Sequence, residues 1–216
     1  MTDPDTTPPA SGKPRRRKDA RPGEIIAAGI SEFEENGFHK ANLSRIAQKA
    51  GIAKGTIYLY YESKEALFLA AIEEQVTSVM SESEADLGAV NGTTRDLLNK
   101  LLKNMYDRFV HGEAQALFRI LLTEGDRMPD VISSYHAMTV QRGTKLLKMI
   151  LARGIDRGEV RPGPVVETPQ VLIAPAVYFA VHKMMFKNAQ PLDFEQYFEA
   201  HLDMLFNGVL KKQAAD

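Results

Sequence analysis

Lys54, Gly55, Thr56, Tyr58, Leu59 and Tyr60 crowd into one short segment, and Lys64 follows four residues later. Lys54, Thr56, Tyr60 and Lys64 carry donors suited to phosphate oxygens. Gly55, Tyr58 and Leu59 offer close backbone approach and apolar contact suited to base edges and thymine methyls. That chemistry is recognition of a nucleic-acid duplex. Bond-making chemistry finds less support. The chain has no cysteine, which excludes disulfides, thiolate metal sites and cysteine nucleophiles. His39, His111, His136, His182 and His201 form no pair at ligand spacing with a carboxylate on the same face, so no metal site is expected. No glycine-rich phosphate loop follows a strand, and no serine sits in a nucleophile elbow. Neither an enzyme nor a cofactor is expected.

Such a surface must be held out by a scaffold, and the neighbouring residues supply one. Ala47 is small where two helices would cross closely, and Gly51 follows where the backbone must turn with positive φ. Ile52 and Ile57 are placed to fill the gap. This small–turn–apolar spacing suits a helix-turn-helix, whose second helix enters the major groove while the first crosses the backbone. An ordinary tight helical hairpin has the same spacing. The surface of the third segment, from Lys54 to about Tyr61, favours the DNA reading. Tyr61 lies on the side of Ile57 and is expected in the core.

Before this pair, Ile26, Ile30 and Phe33 recur at helical spacing, with Pro22 near the start and Gly37 as the stop. Leu43, Ile46, Ala47 and Ala50 form the second stripe, capped by Asn42. Ser63 caps a longer fourth helix through Leu67, Phe68, Ala71, Ile72, Val76 and Met80. Asn91-Gly92 is a turn signal. A long helix begins near Pro129 and ends at Gly154 and Gly158. The stretch 161–164 is a linker. Thr168 is expected to cap a helix over 168–188, with Pro169 at its first position and a kink at Pro175. Asp193 and Gln196 open the last helix, over 193–211, as a capping-box variant. The fold class is all-α, with about nine helices. The division expected is a basic disordered arm over 1–20, a DNA-binding domain over 21–81 and a second helical domain over 82–216.

The charge pattern supports this division. The net charge is only −1, with 27 Lys and Arg against 28 Asp and Glu in 216 residues. Residues 1–12 carry −2, residues 13–61 carry +5 and residues 62–216 carry −4. A basic front end on an acidic remainder suggests a polyanion-binding module joined to something else, though a basic tail with no partner has the same signature. No apolar run is long enough to cross a bilayer. The polar, basic N-terminus has no apolar core for export, so a cytoplasmic, nucleoid-associated protein of bacterial type with no membrane partner is expected.

The stretch 37–68, G-F-H-K-A-N-L-S-R-I-A-Q-K-A-G-I-A-K-G-T-I-Y-L-Y-Y-E-S-K-E-A-L-F, closely resembles the DNA-binding domain of TetR-family transcriptional regulators. The resemblance is specific over roughly residues 21–80. It implies that Asn42 caps the second helix and Leu43 holds a phosphate-side position. It also implies that Ser44 and Arg45 reach DNA, and that Lys54, Gly55, Thr56, Tyr58, Leu59 and Tyr60 belong to the recognition helix. Lys64 matches a lysine that meets a phosphate. Three positions depart from the pattern. Ala53 replaces a capping serine, Tyr61 replaces a phenylalanine, and Glu62 brings an acid near the phosphates. The basic arm, with Arg15, Arg16 and Arg17, matches extensions that family members can use on the minor groove or backbone.

Beyond residue 80 the resemblance is one of length and helix number. It implies a homodimer built from the last two long helices, with Val171, Tyr178, Phe179, Phe198, Leu202 and Leu205 at the interface. It also implies an effector pocket among the middle helices, lined by Met105, Phe109, Phe118, Tyr135, His136, Met138, Thr139, Arg142, Tyr178 and His182. Mostly apolar liners with a few polar groups suit a small hydrophobic or amphipathic effector. The expected function is that of a ligand-released dimeric repressor on a palindromic operator. Two other readings are an all-α small-molecule binder or enzyme with a helix-turn-helix-like module, and a sequence-independent DNA-binding protein.

Overall fold

A computed structural model describes residues 21–88, 92–111, 114–186 and 188–208. Arg15, Arg16 and Arg17 lie outside the described residues, as does the side chain of Phe109. Among the described residues every regular element is helical: α1 (Arg21–Lys40), α2 (Leu43–Lys49), α3 (Lys54–Ile57), α4 (Lys64–Gly88), α5 (Thr94–His111), α6 (Ala114–Glu124), α7 (Pro129–Tyr135), α8 (Arg142–Asp156), α9 (Pro164–Glu167), α10 (Ala174–Phe186) and α11 (Phe194–Asn207). The tally exceeds nine because the short α9 begins at the end of the linker expected over 161–164, and because the long helix expected from Pro129 is divided into α7 and α8. A π-helical turn, His136–Gln141, joins α7 to α8, so one rod runs from Pro129 to Asp156.

The punctuation follows local chemistry. Gly37 has φ 69°, which breaks the helical run of α1 as expected of a glycine stop. Asn42 accepts from the Arg45 amide at 3.0 Å and caps α2. Ser63 accepts from the Ala66 amide at 3.0 Å and starts α4. Asp193 accepts from the Gln196 amide at 2.8 Å at the head of α11. The Asp96 carboxylate accepts from the Thr93 amide at 2.9 Å and the Thr93 hydroxyl accepts from the Asp96 amide at 3.2 Å, a full capping box before α5.

Two expectations fail on backbone grounds. The helix expected over 168–188 is divided: a 3-10 turn (Pro169–Leu172) precedes α10, and Thr168 makes no side-chain cap. Pro175 then sits in the first turn of α10, where its missing N–H breaks no helical bond, so it begins the helix and does not kink it.

Three apolar clusters fill the interior. The first joins α1 to α4 with α6 and α7: Ile25, Ile30, Phe33, Phe38, Ile46, Ala47, Ile57, Leu67 and Phe68 pack with Leu117, Ile120, Leu121 and Val131. Phe33, Phe38 and Phe68 form its aromatic centre, with ring centroids 5.2–5.6 Å apart. The second lies between α5, α8 and the 3-10 turn, around Leu97, Leu101, Leu147, Ile150 and Leu172. The third joins α5 to α10 and α11 around Leu102, Tyr106, Phe179 and Phe198. The first cluster crosses the expected division near residue 81, because α6 and α7 return to cover α1 and α4.

Candidate nucleic-acid interface

The pair α2–α3 is a helix-turn-helix in detail. Ala47 is fully buried at the crossing, and its carbonyl accepts from the Ile52 amide at 3.0 Å. Gly51 turns the chain at φ 64°. Ile57 is fully buried, and Ile52 and Tyr61 pack against the same cluster. Burial, with Glu74 as a lesser cause, holds the Tyr61 hydroxyl above its ordinary pKa.

The third segment is shorter than expected. Only Lys54–Ile57 is α-helical. Beyond it the chain tightens into three-residue bonds, Leu59 to Thr56 at 3.2 Å and Tyr60 to Ile57 at 3.0 Å. Ala53 caps with no side chain, which leaves an uncapped nucleus four residues long. The outcome suits presentation. Leu59 is 83% exposed, and Tyr58 and Tyr60 also face outward. Ser44, Lys54 and Gly55 are exposed beside them, with Thr56 half-buried. Large apolar side chains standing out from a helical corner, ringed by Lys54 and hydroxyls, form a surface in want of a partner. A Cβ on Gly55 would meet nothing within 4 Å, so nothing in this chain demands a glycine there.

Arg45 has a second attachment. Its Nε lies 2.5 Å from Glu32 Oε1, and its Nη2 donates to the Lys40 carbonyl. Glu32 is 0% exposed, and Lys49 Nζ stands 3.3 Å from its other oxygen. Lys49 also meets the exposed Glu35 at 2.7 Å and, mainly through that hydrogen bond, holds the Glu35 carboxyl below its ordinary pKa. One buried carboxylate on α1 thus gathers both cations of α2. Sequence reasoning passed over Glu32, although the signal was legible. It stands seven residues after Ile25 on the apolar stripe, and Arg45 and Lys49 are spaced four apart on the next helix.

Lys64 is also engaged. Its Nζ donates to the carbonyls of Phe38 and His39 at 3.0 and 3.1 Å and sits 4.6 Å from the Phe38 ring centroid. An ammonium has three donors, so one is left for a phosphate.

In the C-terminal half the expected pocket residues fall in several packing environments. Tyr135 packs against the first cluster, and burial raises its pKa. Met105 packs against the third cluster. Phe118, Met138 and Arg142 are half-buried, while Tyr178 is 56% exposed and stacks on Tyr197 at 6.2 Å. Thr139 Oγ1 and His182 Nδ1 are buried with no hydrogen-bond partner. A groove of about 560 Å³ runs along the outside of the π turn and α8, lined by His136, Val140, Gln141, Lys145, Lys148, Met149 and Gln170 among others.

The interface residues also divide. Phe179 of α10 and Phe198 of α11 are buried in the chain's own third cluster, where both rings pack on Tyr106 of α5. Leu202 and Leu205 are half-buried against the same cluster. Val171 and Tyr178 face outward, in company with Met185, Phe186 and Met204. Inside, His201 was missed. Its Nδ1 accepts from the Tyr106 hydroxyl at 3.0 Å, and its Nε2–H donates to the Leu172 carbonyl at 3.0 Å. Burial lowers its pKa and raises that of Tyr106.

The family model for "Bacterial regulatory proteins, tetR family" matches residues 25–71, and the one for "Tetracyclin repressor-like, C-terminal domain" matches residues 90–197. The chain belongs to the TetR family. It is a DNA-binding transcriptional regulator. Among curated TetR-family relatives, the "Fatty acid metabolism regulator protein" of Bacillus subtilis is 25% identical over 195 residues, covering 88% of this chain and 95% of that one. The crystal structure of B. subtilis FadR with stearoyl-CoA superposes with a TM-score of 0.75 at 22% identity, covering 87% of this chain and 99% of that one. Thermus thermophilus FadR with lauroyl-CoA gives 0.63 at 20% identity, covering 91% and 98%. No helix among the described residues is long and apolar enough to cross a membrane.

Proposed function

We propose that this regulator is a homodimeric repressor of a palindromic operator, released by a long-chain fatty acyl-CoA, and not an enzyme. The DNA half rests on one observation above all: the outward corner of Tyr58, Leu59 and Tyr60 beside Lys54. Gly55 leaves bare backbone where a phosphate or base edge would approach. Ser44, Arg45 and the remaining donor of Lys64 serve phosphates. Arg15, Arg16 and Arg17 of the arm add salt-dependent affinity, each phosphate neutralised steepening the slope by about 0.9 log unit. Two copies joined through the outward face of α10 and α11 present two such corners, which suits half-sites about 34–36 Å apart.

The effector half rests on likeness along nearly the whole chain to the B. subtilis fatty acid regulator and to two regulators solved with acyl-CoA. The half-buried Thr139 and His182, whose Oγ1 and Nδ1 atoms are buried without a hydrogen-bond partner, are polar positions for such a ligand. The mechanism is a population shift. Acyl-CoA binds better to a form with altered spacing of the two corners, and it weakens DNA binding by that difference in affinity.

Selection of duplexes from a random pool, followed by gel shift, tests the first half. Enrichment of a palindrome is expected, and uniform affinity for all duplexes at moderate salt would overturn it in favour of a sequence-independent binder. Stearoyl-CoA, stearate and CoA added to the selected complex test the second. Release by the thioester alone is expected, and no release by any of the three would overturn it.

A further inference from the structure

Glu124 is the last residue of α6, far in sequence from the DNA-reading surface. Its two carboxylate oxygens nevertheless accept the amides of Phe38 at 3.0 Å and His39 at 2.9 Å. These amides lie just past the break at Gly37, in the turn that feeds α2. The carbonyls of the same two residues are the ones that Lys64 takes from the side of α4. The turn between α1 and α2 is therefore gripped twice, its donors by α6 and its acceptors by α4. Bonds with one ionised partner are roughly twice as strong as neutral ones.

Gly37 is fitted to this grip. A Cβ there would stand 2.9 Å from Glu124 Oε1, so a side chain would displace the carboxylate even apart from the φ of 69°. The flanking chain is tied as well. Phe38 is buried between Phe33 and Phe68. Arg45 of α2 reaches back to the Lys40 carbonyl. Motion of α6 must therefore carry α2 and the reading corner with it, or break two charge-assisted bonds.

We infer that Glu124 is a positioning residue for DNA recognition, clamping the α1–α2 turn to α6 so that the C-terminal half sets the orientation of the reading corner. The clamp needs only the DNA-binding function already established. Its use in release rests on the acyl-CoA reading above, since coupling requires one element that both ligands bias.

The experiment uses the full chain and the selected operator. E124A should weaken operator binding at least fivefold, with the slope of log K against log salt unchanged, because no phosphate contact is lost. Amide exchange at Phe38 and His39 should quicken at least tenfold. T123A, at the exposed neighbouring position, should change neither. E124Q keeps the volume and one carbonyl acceptor and should fall between wild type and E124A, which holds if E124A proves unstable. Operator affinity within twofold of wild type in both Glu124 variants would overturn the inference. In a second arm, stearoyl-CoA should lose at least a fivefold share of its effect on operator binding in E124A, while binding the DNA-free variant within twofold of wild type. Full retention of that effect would remove the clamp from the release pathway. Wild-type protein unmoved by stearoyl-CoA would sink the acyl-CoA reading and leave the operator arm to decide on Glu124.

Discussion

Truncating Arg45 should cost more stability than removing the carboxylate it binds. Glu32 is fully buried, whereas the side chains of Arg45 and Lys49 are 45% and 27% exposed. Arg45→Ala strands the Glu32 oxygen that it met at 2.5 Å, leaving only Lys49 at 3.3 Å on the other oxygen. A hydrogen bond to a charged group is worth about 1.5–3 kcal/mol. Breaking a fully buried pair costs about 3–5 kcal/mol, and partial exposure of Arg45 together with the surviving Lys49 discounts that figure. The expected loss is about 2 kcal/mol, or about 4–8 °C in Tm for a chain of this size. Glu32→Leu removes the buried charge itself. Arg45 and Lys49 then turn to water, and the cost should stay within about 1 kcal/mol. The double variant should be more stable than Arg45→Ala alone. Denaturation without DNA, at one fixed protomer concentration, measures all three. If Glu32→Leu costs as much as Arg45→Ala, or if the double variant is the least stable, the asymmetry is refuted and the pair is a surface contact.

Three further outcomes are expected. Tyr178→Asp with Val171→Asp places charge on the outward face of α10 and its preceding turn, and should convert dimer to monomer in light scattering; a persisting dimer would move the interface elsewhere. His201 is held neutral by burial, so its folded pKa lies below the unfolded value near 6.5. The unfolded chain then binds the extra proton first, so stability is full above about pH 6.5 and falls as pH drops towards the folded pKa. His201→Gln should flatten that limb between pH 7.5 and 5.5, and an unchanged slope would assign it to other groups. Ala53→Ser supplies the missing cap of α3 and should add about 0.5–1 kcal/mol, read as a rise in the denaturation midpoint; no change would mean that the turn, not the cap, starts α3.

Local signals were read well from sequence wherever one residue decides the outcome. Gly37 and Gly51 turn the chain because they lack a side chain, and Asn42, Ser63 and Asp193 cap through theirs, since caps and positive-φ turns depend on a few neighbouring atoms. Misreadings arise where two elements compete for one residue. Pro175 had been expected inside a helix because Thr168 resembles a cap, but the 3-10 turn at Pro169 absorbs the intervening chain. Phe179 and Phe198 look like interface aromatics in a linear reading, and only the packing of α5 between α10 and α11 turns them inward. The outward corner of Tyr58, Leu59 and Tyr60 was legible in residue type, though not in the tightening after Ile57. Glu124 left no local trace, because its partners are main-chain amides 85 and 86 residues away.

The first apolar cluster has a practical consequence. Leu117, Ile120, Leu121 and Val131 are as much part of it as Ile30 or Phe68. A fragment ending near residue 81 would therefore expose the flank of α1 and α4 that these residues cover. The DNA reader is not a cassette. Exchanging it between relatives to rewire operator choice requires the matching strips of α6 and α7 to travel with it, so a workable chimera has a discontinuous seam.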